Sequence, residues 1–162
     1  MINKPVSRAV AICSGDTPSK EVFLHQAFYE TRPDTGAVVH LHPTWATALS
    51  CLTCTDPDDC IPPLTPYAIM KLGKVKLLPF YRPGDPQMGE AVRGLAGKRT
   101  AVMLANHGPV VAGKDVEAAC NAIEELEDTA RLAIMMRGYN PKMLTEAQVK
   151  DLVTRFDVEW DD

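Results

Sequence analysis

The stretch Ala37-Val38-Val39-His40-Leu41-His42-Pro43 decides how the rest of this 162-residue chain is read. Three apolar residues lead into two histidines one residue apart, and a proline closes the run. In a strand, residues two apart point to the same face. The pattern therefore predicts that His40 and His42 project together, with Val39 and Leu41 turned the other way into apolar packing. Neutral imidazole nitrogens bind zinc and its neighbours, and catalytic sites commonly use three protein ligands with one position left open. Two imidazoles on one strand are half of such a site. The plain alternative is a pair of core or surface histidines that merely share a strand, so the surroundings must decide.

Arg32-Pro33-Asp34-Thr35-Gly36 is a turn that feeds the strand. Before it, Val10-Ala11-Ile12-Cys13 reads as a short strand and Ser14 to Thr17 as a turn. Thr17-Pro18 reads as a cap and first position of a helix to about Tyr29, with Leu24, Ala27 and Phe28 as its apolar stripe. After Pro43, Thr44 can cap a helix through about Leu52. Thr55 to Pro63 is a loop, and a further helix follows Thr65-Pro66. Val75 to Phe80 reads as a strand, and Asp85-Pro86 opens a helix that ends near Gly97. The continuous apolar run Ala101 to Ala105 has the length of a buried strand. Asn106-His107-Gly108-Pro109 is a turn, and Val110 to Ala112 a returning strand. The longest helix runs from Asp115 to Gly138. Thr145-x-x-Gln148 is a capping box for a last helix to about Phe156. Asp157 to Asp162 is an acidic tail expected to fray. Interleaved strands and helices predict a single α/β domain over residues 1–162.

Composition narrows the function. Hydrophobic residues make up 46% of the chain and charged residues 23%, ordinary for a soluble globular protein. The formal net charge of -4 includes no basic block, which argues against nucleic acid or an anionic membrane as partner. No apolar run approaches a membrane span, and none follows Met1-Ile2-Asn3-Lys4-Pro5, so a cytoplasmic protein without a secretory signal is expected. Five cysteines, an odd number, read as reduced thiols. Cys51-x-x-Cys54 with Cys60 nearby lacks a second paired cluster and reads as structural rather than metal-binding.

The third ligand is sought where a strand breaks. His107 lies where the run Ala101 to Ala105 meets a turn, and Gly108 lets the backbone bend sharply there. A solvated turn histidine is the alternative. Glu21 falls early in the helix after Thr17-Pro18, where an acidic side chain can simply answer the helix dipole. Near a metal it can instead be a general acid/base or a fourth ligand. His25, four residues on, shares its helix face and reads as a hydrogen-bonded structural histidine.

These residues resemble a known family. Pro18-Ser19-Lys20-Glu21, Leu24-His25, His40-Leu41-His42, Leu64-Thr65-Pro66-Tyr67 and Asn106-His107-Gly108 occur in the order and approximate spacing of the class II aldolase/adducin family. Phe80 to Pro86 and Ala105 to Val111 are most similar to its 3-oxo-tetronate 4-phosphate decarboxylase branch. The resemblance covers roughly residues 13–138. It implies a three-layer domain with a central, mainly antiparallel sheet and flanking helices. It implies that His40, His42 and His107 hold one divalent metal ion per chain, usually zinc, with Glu21 as a metal-proximal acid/base. It implies that Tyr67 is a catalytic residue reaching the site of a neighbouring subunit, since members are commonly homotetramers with sites between chains. Lys20, Arg82 and Asp85 are the substrate contacts it points to, on a small sugar acid or sugar phosphate.

Family members carry a longer stretch before the Pro-Ser-x-Glu element, including a Gly-Asn-x-Ser loop that binds phosphate. Seventeen residues precede Pro18 here and contain no such loop, so an N-terminally truncated version of the domain is expected. The expected activity is metal-dependent carbon–carbon cleavage through an enolate, most like the decarboxylases. The alternatives are a sugar-phosphate aldolase or epimerase and a non-catalytic, adducin-like interaction module. MPN-type metalloproteases also resemble His-x-His-Pro, but Thr53 stands where their aspartate ligand belongs.

Overall fold

The structure is a computed structural model and describes residues 19–53 and 55–160. The expected strand Val10 to Cys13 and the Thr17-Pro18 cap lie outside those residues. Ten elements follow in order: α1 (Val22–Thr31), β1 (Ala37–His40), α2 (Thr44–Ser50), α3 (Pro66–Leu72), β2 (Lys76–Leu78), α4 (Gln87–Gly94), β3 (Ala101–Leu104), β4 (Gly108–Gly113), α5 (Val116–Met135) and α6 (Glu146–Phe156).

The strands form one sheet in the order β1-β4-β3-β2. β4 pairs antiparallel with both β1 and β3, while β2 pairs parallel with β3. The sheet is thus mainly antiparallel, as expected. Alternation along the strands divides the core. Ala101, Met103 and Val111 face α2, α3 and α5, packing with Leu49, Leu72, Ile123 and Leu126. Val102, Leu104, Val110 and Ala112 face α1 and α4, packing with Leu24, Phe28, Met88 and Val92. β3 is buried along its whole length because both faces are covered, which is why its sequence is continuously apolar. The result is three layers with the sheet in the middle.

Several boundaries differ from the sequence reading. α1 begins at Val22, and Glu21 occupies its N-cap position without a capping hydrogen bond from its side chain. α2 starts at Thr44 itself, with Pro43 at the N-cap, and ends at Ser50. β4 begins at Gly108, so Gly108 and Pro109 are strand rather than turn. α5 is capped by the Asp115 side chain, which accepts from Ala118 N–H, and the Thr145–Gln148 capping box of α6 is formed. The expected fraying of the tail does not hold through Trp160. Arg32 grips the Glu159 carboxylate with both terminal nitrogens, at 2.6 and 2.9 Å, and Lys74 sits 5.2 Å from the Trp160 ring centre. A charged fork and an aromatic ring hold these residues where composition alone indicated solvent.

Candidate metal centre and active site

The site forms where β1 ends and β4 begins. Val38 packs toward α1, so His40, two residues on, points to the same side of the sheet. The strand stops at His40, and His42 reaches the site from the segment that enters α2 rather than from the strand. This corrects the expectation of a shared strand face. It also corrects Leu41, which is 50% exposed because it lies beyond the last ladder pair, His40 with Val110. His107 comes from the β3–β4 turn, shaped by Asn106 in the left-handed region at φ 56°, which asparagine tolerates.

The three imidazoles nonetheless converge. Ring centres of His40, His42 and His107 lie 4.9, 5.0 and 4.8 Å apart pairwise, and one ligand atom from each falls within 4.8 Å of the others. Gly108 permits this approach. A methyl group there would lie 2.6 Å from the Leu41 carbonyl oxygen and 3.4 Å from His42 Cδ2. The side chains of His40, His107 and Glu21 are only 6%, 11% and 16% exposed, whereas His42 is open to solvent. The cluster thus has a dry floor and one open side.

His40 Nδ1 lies 2.8 Å from the Pro109 carbonyl oxygen. A carbonyl only accepts, so Nδ1 carries the proton and, in a neutral ring, Nε2 is left as a bare lone pair. That lone pair faces Glu21 Oε2 at 3.3 Å, and His107 Nε2 lies 3.7 Å from Glu21 Oε1. His40 Nε2, His107 Nδ1 and Glu21 Oε1 are buried without hydrogen-bond partners. The bare His40 Nε2 against the Glu21 carboxylate sets acceptor against acceptor in a buried corner, which calls for positive charge between them. Zinc–nitrogen bonds of about 2.0–2.1 Å require tetrahedral ligand nitrogens roughly 3.4 Å apart, so small side-chain movements close the trio on an ion. Burial first, then His40, holds the His107 imidazole below its usual pKa, which favours the neutral ring that metals bind. His25 is likewise lowered, by burial and then by His40, against a hydrogen bond to the Val38 backbone, and it is not one of the three clustered histidines.

Pro109 sits inside a central strand, normally a poor place for proline. It pairs with Met103 and lies one residue past the end of β1. Its carbonyl turns to the β1 side, so its nitrogen, which has no hydrogen to give, faces no strand. The Pro109 carbonyl was not legible as a site group, since no sequence pattern marks a backbone oxygen.

The other expected residues divide. A methyl group at Gly84 would contact Lys20 Cβ at 3.6 Å, so the loop containing Arg82 and Asp85 lies beside the start of α1. Lys20 and Arg82 are exposed, and Asp85 Oδ1 accepts from Gln87 N–H at 3.0 Å. Tyr67 stands on α3, across the sheet from α1, 58% exposed with Lys71 6.0 Å from its ring centre. Within one chain it is not gathered with Glu21. Burial first, then Asp59, pushes the Cys60 thiol up to about 12, so it is no ready metal ligand. Cys54 lies outside the described residues.

Comparison with known proteins accords with this architecture. Residues 3–134 match the family described as the class II aldolase and adducin N-terminal domain. The chain is 48% identical over 139 residues to the 3-oxo-tetronate 4-phosphate decarboxylase of Pectobacterium atrosepticum, covering 86% of this chain and 64% of that protein. It superposes with a TM-score of 0.83 on the crystal structure of YgbL from Klebsiella pneumoniae, a candidate aldolase/epimerase/decarboxylase, at 50% identity over 86% of this chain and 67% of that one. An L-fuculose 1-phosphate aldolase superposes with a TM-score of 0.76 at 29% identity, over 89% and 66% of the two chains. The chain spans about two thirds of the length of these relatives.

Proposed function

The chain belongs to the class II aldolase and adducin N-terminal domain family, and on that footing we propose that it is a metal-dependent carbon–carbon lyase acting on a small phosphorylated sugar acid. The substrate class follows the 3-oxo-tetronate 4-phosphate decarboxylase relative. The observation that carries the reading is the convergence of His40, His42 and His107 beside the Glu21 carboxylate. His40, through Nε2, and the rings of His42 and His107 would hold the ion, with zinc the natural choice for three imidazoles. A divalent ion there supplies a Lewis acid for negative charge that develops on a substrate carbonyl oxygen.

In a 3-oxo acid, the bond between C2 and the carboxyl carbon breaks, its electron pair passes into the enolate, and CO2 leaves. A proton must then return to C2. Glu21, held beside the histidines and not engaged in capping α1, is placed to deliver it. Lys20 and Arg82, exposed beside the same end of α1, are the cations proposed to bind substrate phosphate or carboxylate, with Asp85 shaping their loop. Tyr67 is proposed to act on a neighbouring subunit in a homo-oligomer, in keeping with its exposure on the far side of the sheet. The free thiols accord with a reducing, cytoplasmic compartment, and no helix of the described residues is long and apolar enough to cross a membrane.

The test is metal content after dialysis, followed by CO2 release from 3-oxo-tetronate 4-phosphate, for the wild-type chain and His107→Ala. About one equivalent of divalent metal in the wild type, reduced in the variant, with metal-dependent CO2 release, is the expected result. A folded wild type that takes up no metal overturns the site. Metal uptake with cleavage of L-fuculose 1-phosphate instead would assign the aldolase reaction, and uptake without turnover a binding module.

A further inference from the structure

Two of the three histidines are joined to one short helix. α2 begins two residues after His42, and its N-cap, Pro43, has no side-chain acceptor for the helix's free N–H groups. Glu127, midway along the 20-residue helix α5, performs that role from 82 positions away. Its Oε1 accepts from Trp45 N–H at 2.9 Å and its Oε2 from Ala46 N–H at 2.7 Å. One residue further along α2, Thr47 Oγ1 donates to the His107 carbonyl oxygen at 3.2 Å. The Ser50 carbonyl, at the end of α2, accepts from Asn106 N–H at 3.3 Å. The turn that carries His107 therefore hangs from α2, and the segment that carries His42 runs directly into it.

We propose that α2 is a strut that sets the spacing of His42 and His107, with Thr47 and Glu127 as positioning residues for the metal site. Glu127 locks the strut to the longest helix of the fold, and Thr47 locks the His107 turn to the strut. Neither side chain is a ligand; each acts by fixing a backbone that carries one. Removing the Thr47 hydroxyl leaves the His107 carbonyl without that donor in a partly buried corner, and the turn relaxes toward other partners. Groups that hold a ligand ring directly govern metal affinity by about 10–100-fold, and Thr47, which holds the ligand's backbone, is expected at the low end of that range. The inference rests on the reading of the three histidines as a metal site.

Cobalt(II) is the probe, because its visible absorption reports coordination geometry and its affinity can be measured by competition with a chromophoric chelator. The full 162-residue chain is compared with Thr47→Val, Thr47→Ser and Glu127→Gln, each also unfolded in urea. Thr47→Val keeps the side-chain shape and is expected to weaken cobalt binding about 10-fold and alter the band envelope. Thr47→Ser, which restores the hydroxyl, is expected to return both toward wild type. Glu127→Gln keeps one acceptor oxygen for the helix start and is expected to shift affinity in the same direction by less; it carries the test alone if Thr47→Val does not fold. Folded variants with a lower urea midpoint but wild-type cobalt affinity and spectrum overturn the strut. A wild-type chain that takes up no cobalt overturns instead the metal reading beneath it.

Discussion

At the scale of single residues, the site is governed by what each side chain is prevented from doing. His40 cannot offer Nδ1 to an ion, because the Pro109 carbonyl occupies it, so Nε2 is the nitrogen directed at Glu21. Glu21 does not cap α1, so its carboxylate is available to the histidines. Gly108 leaves out the one carbon that would meet the Leu41 carbonyl at 2.6 Å. Gly108→Ala is expected to push the Leu41–His42 backbone away, costing about 1–3 kcal/mol of stability as an overpacked contact. Urea unfolding and cobalt titration of that variant check the two effects together, and an alanine that leaves both unchanged contradicts the account. Gly94→Ala, where an added methyl meets nothing within 4 Å, is the tolerated control. Of these features, the candidate histidines were legible in sequence; Gly108 was read as a bend in a turn, and its close approach to the Leu41 carbonyl was not legible. The proton position on His40 was not, because it depends on a carbonyl 69 positions away.

At the scale of elements, the sheet needs its edges covered. β2 is an edge strand, and the segment 57–60 pairs with it through Leu77 N–H to the Pro57 carbonyl and Cys60 N–H to the Val75 carbonyl. Asp59 belongs to this cover and accepts from Val75 N–H at 3.2 Å. Burial is the leading cause that pushes its carboxyl up to about 6 from 3.8, against the Val75 bond and the cations Lys74 and Arg99. The folded chain therefore binds this proton more tightly than the unfolded chain does. The contribution of Asp59 to stability is fully present below about pH 4 and is lost as pH rises through about 6. Asp59→Asn keeps an acceptor for Val75 and cannot ionise. It is expected to be more stable than wild type above pH 6, with the gap closing toward pH 4 in urea midpoints measured across that range. A gap that stays constant with pH removes the assignment. A loop rich in proline and aspartate was readable at Thr55 to Pro63, but its service as an edge cover was not, since backbone pairing leaves no side-chain periodicity.

At the scale of the whole molecule, the candidate ligands come from the end of β1, the segment leading into α2 and the β3–β4 turn, and Glu21 comes from the start of α1. An ion bound there would bind the folded chain and not the unfolded one. Metal at about 100 times its dissociation constant would then add about 2.7 kcal/mol, raising Tm by about 5–11 °C for a chain of this size. Differential scanning calorimetry with zinc, and again after chelation, measures this; His107→Ala is expected to show no rise, and a wild-type Tm indifferent to zinc argues against the site. From the amino-acid order alone an α/β domain follows, because the unbroken apolar run in β3 and the helical stripes mark buried faces, and the three-layer arrangement was expected only through the family resemblance. The amino-acid order also determined the residue types of the site, because imidazole and carboxylate chemistry belongs to the side chain wherever it lies. How those groups meet follows from the packing of the folded chain. His42 joins from outside the strand, Tyr67 stands across the sheet, and Thr47 and Glu127 reach the site's backbone from other elements. Such contacts join residues far apart in the chain, and local periodicity carries no record of them.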